Sequence, residues 1–179
     1  MTAGWVAAAT RGRSLLKRTV GPEGARSLAE ADSWPAARAQ LATTIYGTEL
    51  EANSDRRSAR RAAAITTVWQ LRVLAGWLPP ASGGLARLFV APMEIGNIEH
   101  HVATIVGREP TTPLPLGSLG VAWPAVARAT SLEQVRHVLS RSPWGDPGSN
   151  DPAVLGFGLR VSWARRLARQ VPTTIECAM

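Results

Sequence analysis

Glu94, His100 and His101 are the residues of this 179-residue chain whose types and spacing come closest to metal chemistry. On a helix of 3.6 residues per turn, neighbouring histidines point about 100° apart and cannot share an ion. Glu94 and His101 share a face but have no third ligand, and three protein ligands are the usual minimum for a zinc site. A solvated histidine pair beside the core is therefore expected. GFGLRV (156–161) opens like a dinucleotide fingerprint, but its third glycine and its preceding strand are missing. Gly156 and Gly158 are expected to be close-packing points of a helix. There is no GxxxxGK[ST] loop, no serine-nucleophile signature and no pair of catalytic carboxylates. No catalytic, cofactor or metal residue is assigned, and the chain is expected not to be an enzyme.

Binding chemistry is better represented. The net charge is +7, with 12 basic against 6 acidic residues in 1–90 and 8 against 7 in 91–179. Much of the first-half excess sits in Arg56, Arg57, Arg60 and Arg61. Like charges at i, i+4 repel, and cations at a helix N-terminus oppose its macrodipole. These four arginines either form a solvated face or dock the acidic groups of a partner. Nucleic acid is the weaker match, because no aromatics are interleaved with them and no readable motif is present. Asn97, between Ile95 and Ile98, is a poor mid-helix residue because its amide competes with the backbone. It is expected to bond the end of a neighbouring helix and fix the crossing.

The elements that must carry these residues are helical. Alanine leads the composition at 29 residues, while Tyr and Phe total three, which favours helices packed through small side chains. Helices are expected over 2–18, from Pro22 to Ala31, and from Trp34 to about Thr44 behind a Ser33 cap. That last helix should end at Tyr46-Gly47, with glycine left-handed. Ser54 should cap a helix over 55–78 that stops at Pro79-Pro80, with an apolar stripe through Ala64, Val68 and Leu71. A segment over 85–106, kinked or split by Pro92, should pair antiparallel with it. The Pro-rich stretch 107–118 reads as a linker. Beyond it come a short helix over 123–129, a Ser131/Gln134 capping box, turn chemistry over 142–151, and a helix over 152–170 ended by Val171-Pro172. No run alternates like a strand. Cys177, the one cysteine, excludes an internal disulfide. The longest uncharged run, 110–127, carries four prolines and cannot span a bilayer.

SWPAARAQLATTIYG (33–47) aligns without gaps on SLEQVRHVLSRSPWG (131–145), an offset of 98 residues. Ser33/Ser131, Arg38/Arg136, Leu41/Leu139 and Gly47/Gly145 match, and Tyr46 stands opposite Trp144. The pattern fits either a chance likeness of two capped helices or a duplicated helical unit plugged by an aromatic-Gly pair. The expected domains are 1–106, a lobe with the long helix pair, and 107–179, a second, partial lobe.

TRGRSLL, LATTIYG and FVAPMEIGNIEHHVATIVG together resemble the C/d subunit family of V-type and archaeal-type rotary ATPases. The resemblance implies an all-α chain of repeated lobes in a funnel-like helical repeat, here with an incomplete third lobe, at roughly half the family's usual length. It implies a non-catalytic rotor subunit, peripheral to the cytoplasmic face of the membrane. Such a subunit connects the central stalk to the membrane rotor ring in ATP-driven proton or sodium transport. Its partners would be the stalk and ring subunits, with Arg56, Arg57, Arg60 and Arg61 as the candidate interface and Tyr46, Gly47, Asn97, Trp144 and Gly145 as structural motif. The alternatives are a basic helical nucleic-acid-binding protein and a degenerate truncated scaffold without activity.

Overall fold

A computed structural model describes residues 3–51, 53–79 and 82–170, so Pro80, Val171-Pro172 and Cys177 lie outside the described residues. Among the described residues all regular structure is helical and no strand occurs. The helices are α1 (Ala3–Leu16), α2 (Gly21–Ala29), α3 (Trp34–Ala42), α4 (Arg56–Trp77), α5 (Gly83–Ile105), α6 (Trp123–Val126), α7 (Leu132–Ser140) and α8 (Pro152–Gln170). The chain divides into two compact units at Ser82/Gly83, earlier than the 106/107 boundary that the Pro-rich stretch suggests. The reason lies in α5, whose partners are α8, α6 and α7, so it belongs wholly to the second unit. No helix among the described residues is long and apolar enough to cross a membrane.

In the first unit α4 packs on α1 and on a 3-10 turn at Ile45–Glu49. Its buried face is Ala59, Ala62, Thr66 and Val68, so the expected stripe is displaced by part of a turn. Ala8 and Leu15 of α1 are buried as well, while α2 and α3 bury no residue. Asp55, not Ser54, caps α4: its Oδ1 accepts the Ser58 N–H at 2.7 Å. Ser54 Oγ instead accepts the Glu51 N–H at 3.0 Å. Gly47 is not left-handed. It lies within the 3-10 turn, where a Cβ would run into the Ala42 carbonyl, so its smallness and not its φ is required.

The second unit holds a larger apolar core. Ala91, Ile95, Ile98 and Val102 of α5 meet Val126, Val135, Leu139, Trp144, Leu155 and Leu159. The long helices of each unit find partners inside it, α4 with α1 and α5 with α8. α5 also runs unbroken through Pro92. Proline has no N–H, so the Leu88 carbonyl loses its helical donor. The Trp163 indole of α8 supplies a replacement, with Nε1 3.0 Å from that oxygen. Gly156 and Gly158 are close-packing points as expected: a Cβ at Gly156 would meet the Glu99 carboxylate, and one at Gly158 would lie 3.2 Å from Pro147. At the first of these, the Arg160 guanidinium holds Glu99 in a forked ion pair.

Candidate interaction surfaces and the turns that frame them

The N-terminus of α4 places Arg56, Arg57 and Arg60 in solvent. Arg61 separates from them: it is half-buried, is engaged by other groups, and lines a cleft of about 550 Å³ with Glu49, Glu51 and Asp55. The cluster is thus a face of three solvent-exposed cations beside one that serves the fold. Asp55 offsets their unfavourable position at the helix start. The Ser58 backbone N–H, helped by the nearby Arg57 charge, holds its carboxyl below the ordinary range.

Asn97 is buried and hydrogen-bonds twice, but not to a helix end. Its Nδ2 donates to the Leu114 carbonyl at 3.0 Å, and its Oδ1 accepts the Leu114 N–H at 2.8 Å. The side-chain amide therefore imitates a neighbouring strand for the extended Pro-rich segment. The helix end is taken by Glu94, one turn earlier on the same face. Its Oε1 accepts the N–H groups of Val121, Ala122 and Trp123 at 2.7, 2.6 and 2.8 Å. A carboxylate answers the orphan donors and positive end at the start of α6. His101, one turn beyond Asn97, bonds the Ala129 carbonyl through Nε2 at 2.8 Å and meets the edge of Trp123. Glu94, Asn97 and His101 thus staple the 114–129 backbone onto α5, which explains why the apparent linker belongs to this unit. Among the described residues no group of three His, Cys, Asp or Glu is placed to hold a metal ion.

The two aromatic-Gly turns share local chemistry. Ser33 and Ser131 each cap a nine-residue helix, accepting from Ala36 N–H and Gln134 N–H. Gln134 returns a bond to Thr130 N–H at 2.8 Å, one residue earlier than a standard capping box would place it. Past each helix, Thr44 Oγ1 and Ser142 Oγ donate to the Leu41 and Leu139 carbonyls at 2.6 and 2.7 Å. The same hydroxyls accept the Tyr46 and Trp144 N–H groups at 3.2 and 3.1 Å. Every one of these partners is displaced by 98 residues. The candidate residues are nevertheless not gathered into one centre: Tyr46 and Gly47 lie in the first unit, whereas Asn97, Trp144 and Gly145 serve separate parts of the second.

No family model, curated protein or solved structure matches the chain. Function is therefore read from this geometry. It contains three solvent-exposed arginines on α4, two anchored turns and, around Trp144, a second basic surface formed by Arg165, Arg166 and Arg169. Residue counts conceal that second surface, because seven acids spread over 91–179 offset the eight bases there. The signal was the i, i+1, i+4 spacing of the three arginines, which sets them on one side of α8.

Proposed function

We propose that the chain is a non-catalytic coupling subunit of the kind found in the C/d family of rotary ATPases, linking central-stalk and membrane-ring subunits at the cytoplasmic side of the membrane. The observation that supports this reading is the internal likeness of the two units. Each runs long helix, short helix, nine-residue capped helix, aromatic-Gly turn, long helix, with the turn's hydrogen bonds displaced by 98 residues. Repeated helical lobes are what that family would require, and a lobe presenting charged faces suits docking more than chemistry. In this reading Arg56, Arg57 and Arg60 meet acidic surfaces of the rotor.

The test is co-expression with the stalk and ring subunits encoded in the same genome, followed by size-exclusion chromatography of the full chain. Co-elution with either subunit, weakened when the three arginines are replaced by glutamate, is the expected result. Separate elution from both overturns the proposal. A low-salt gel shift with duplex DNA that the same replacement abolishes would move the reading to nucleic acid.

A further inference from the structure

A groove of about 530 Å³ runs between α8 and the Pro143–Pro147 turn. We infer that it docks an acidic segment of a partner protein, seating a carboxylate among Arg165, Arg166 and Arg169 and an apolar side chain on Phe157 and Val161. The inference rests on the groove alone and is independent of the rotor reading.

Charge comes first. The three arginines lie within five residues of α8, a rise of about 6 Å from Arg165 to Arg169, which is the footprint of one or two carboxylates and not of an extended phosphate track. The groove's own acid does not neutralise them. Both oxygens of Asp146 are held by Arg136, at 2.7 and 2.9 Å, and Oδ1 also accepts the Gly148 N–H. Cations in a last helical turn favour the macrodipole, and that alone would account for Arg169. It does not account for Arg166. This guanidinium lies 5.4 Å over the Trp144 ring, and its buried Nη1 has no hydrogen-bond acceptor among the described residues.

The second observation is Trp144 itself. It is only 3% exposed, yet its Nε1 donor is also without a partner among the described residues. Two buried donors on adjoining groove residues, one of them ionised, are costly unless an acceptor serves them. The 5.4 Å cation–π contact with the indole holds the Arg166 charge beside Trp144, at the floor of the groove that Arg165 and Arg169 flank. Phe157, at 68% exposure, supplies the apolar half of the recognition. The first unit also lacks the charges: at the 98-residue offset, Arg165, Arg166 and Arg169 stand opposite Thr67, Val68 and Leu71. The scaffold does not need them.

The full chain is titrated with a short fluorescein-labelled peptide of alternating Glu and Leu, followed by fluorescence anisotropy. Companion probes are the Gln–Leu and Glu–Ser versions, oligothymidylate, and phosphatidylserine vesicles. Saturable binding of the Glu–Leu peptide is expected, at least about tenfold weaker for Gln–Leu and for the double variant Arg165→Glu/Arg169→Glu. Both positions are exposed, so that variant should keep its helical circular dichroism; Arg165→Gln/Arg169→Gln replaces it if it does not. Arg56→Glu/Arg57→Glu/Arg60→Glu should bind as the parent does. The indole N–H resonance of Trp144, assigned through Trp144→Phe, should move on peptide addition. Equal binding by the α8 variant, a stationary Trp144 resonance, or tighter binding of oligothymidylate or vesicles through the same arginines overturns the inference.

Discussion

The turn at Tyr46-Gly47 and the turn at Trp144-Gly145 are made by the same local hydrogen bonds, yet they are anchored differently. Trp144 belongs to the second unit's core, its carbonyl accepts the Ser162 hydroxyl at 2.7 Å, and Arg166 covers its ring. Tyr46 is only half-buried, in a unit whose buried apolar side chains are mostly alanines. Trp69 and Trp77 there remain 51% exposed. Identical capping chemistry thus produces similar helices in both places. What differs is how much apolar surface the surroundings bury, and burial dominates stability.

The largest expected effect breaks that comparison most directly. Trp144→Ala should destabilise the second unit by about 3–5 kcal/mol, the usual cost of truncating a buried aromatic. Tyr46→Ala should cost the first unit about 1 kcal/mol, since less area is lost. Hydrogen exchange resolved by unit, or urea denaturation, reads both. Equal losses would mean that the two turns carry equal loads.

Next in size is Glu94→Ala, expected to cost about 3 kcal/mol because three backbone donors at the start of α6 lose a charged acceptor. Asn97→Ala should cost on the order of 1–3 kcal/mol, by orphaning both polar groups of Leu114. Both losses should appear as faster amide exchange over 114–123, with the first unit unaffected. Unchanged exchange there would show that the segment is held by something other than the α5 staple.

The paired glycines sharpen the comparison further. Gly145 has φ of +76°, so Gly145→Ala should cost roughly 1–2 kcal/mol, and Asn, which tolerates that region, should recover part of it. Gly47→Ala should cost about 2–3 kcal/mol because its Cβ meets backbone, and Asn there should be no better than Ala. Melting temperatures of the four variants decide the matter. If Asn rescues at both sites, the two glycines share one cause.

Features written in neighbouring residues were legible in the sequence. Ser33, Ser131 and the start of α8 follow from residue type and spacing, as does the all-helical class. Asp55 and Ser54 are both capping types, and only the three-dimensional placement of the Ser58 N–H chooses Asp55. The boundary at Ser82/Gly83 was hidden for a similar reason. Residues 107–118 carry no helix signal and look like a linker, yet Asn97 reaches 17 residues along the chain to hold them. Glu94 serves donors 27 to 29 residues away and Trp163 an acceptor 75 away, separations at which no local pattern operates. The basic side of α8 escaped notice because net charge sums over position.

A smaller effect isolates one of those long reaches. Trp163→Phe removes only the donor to the Leu88 carbonyl and should cost about 1 kcal/mol. Pro92→Ala restores a helical N–H to that carbonyl. In the Pro92→Ala background, Trp163→Phe should therefore cost close to nothing, and a double-mutant cycle by urea denaturation measures the difference. Additive losses would break the link between the proline and the indole.

The smallest expected effect concerns Arg136 and Asp146, a pair whose acid has no counterpart in the first unit, where Thr48 occupies the matching position. The Arg136 guanidinium, aided by the Gly148 N–H, lowers the Asp146 carboxyl from 3.8 to about 2. A depressed pKa stabilises the fold at pH above the unfolded value, and that contribution disappears as pH falls through the folded value. The stability difference between the parent and Asp146→Asn should thus be full above pH 3.8, shrink below it, and be gone beneath about 2. The pair is exposed, so added salt should also reduce the difference. A difference that persists at the acid end would mean that the carboxylate's charge is not its source, and no difference above pH 3.8 would assign the turn's order to the Gly148 hydrogen bond, which the asparagine side chain can still accept.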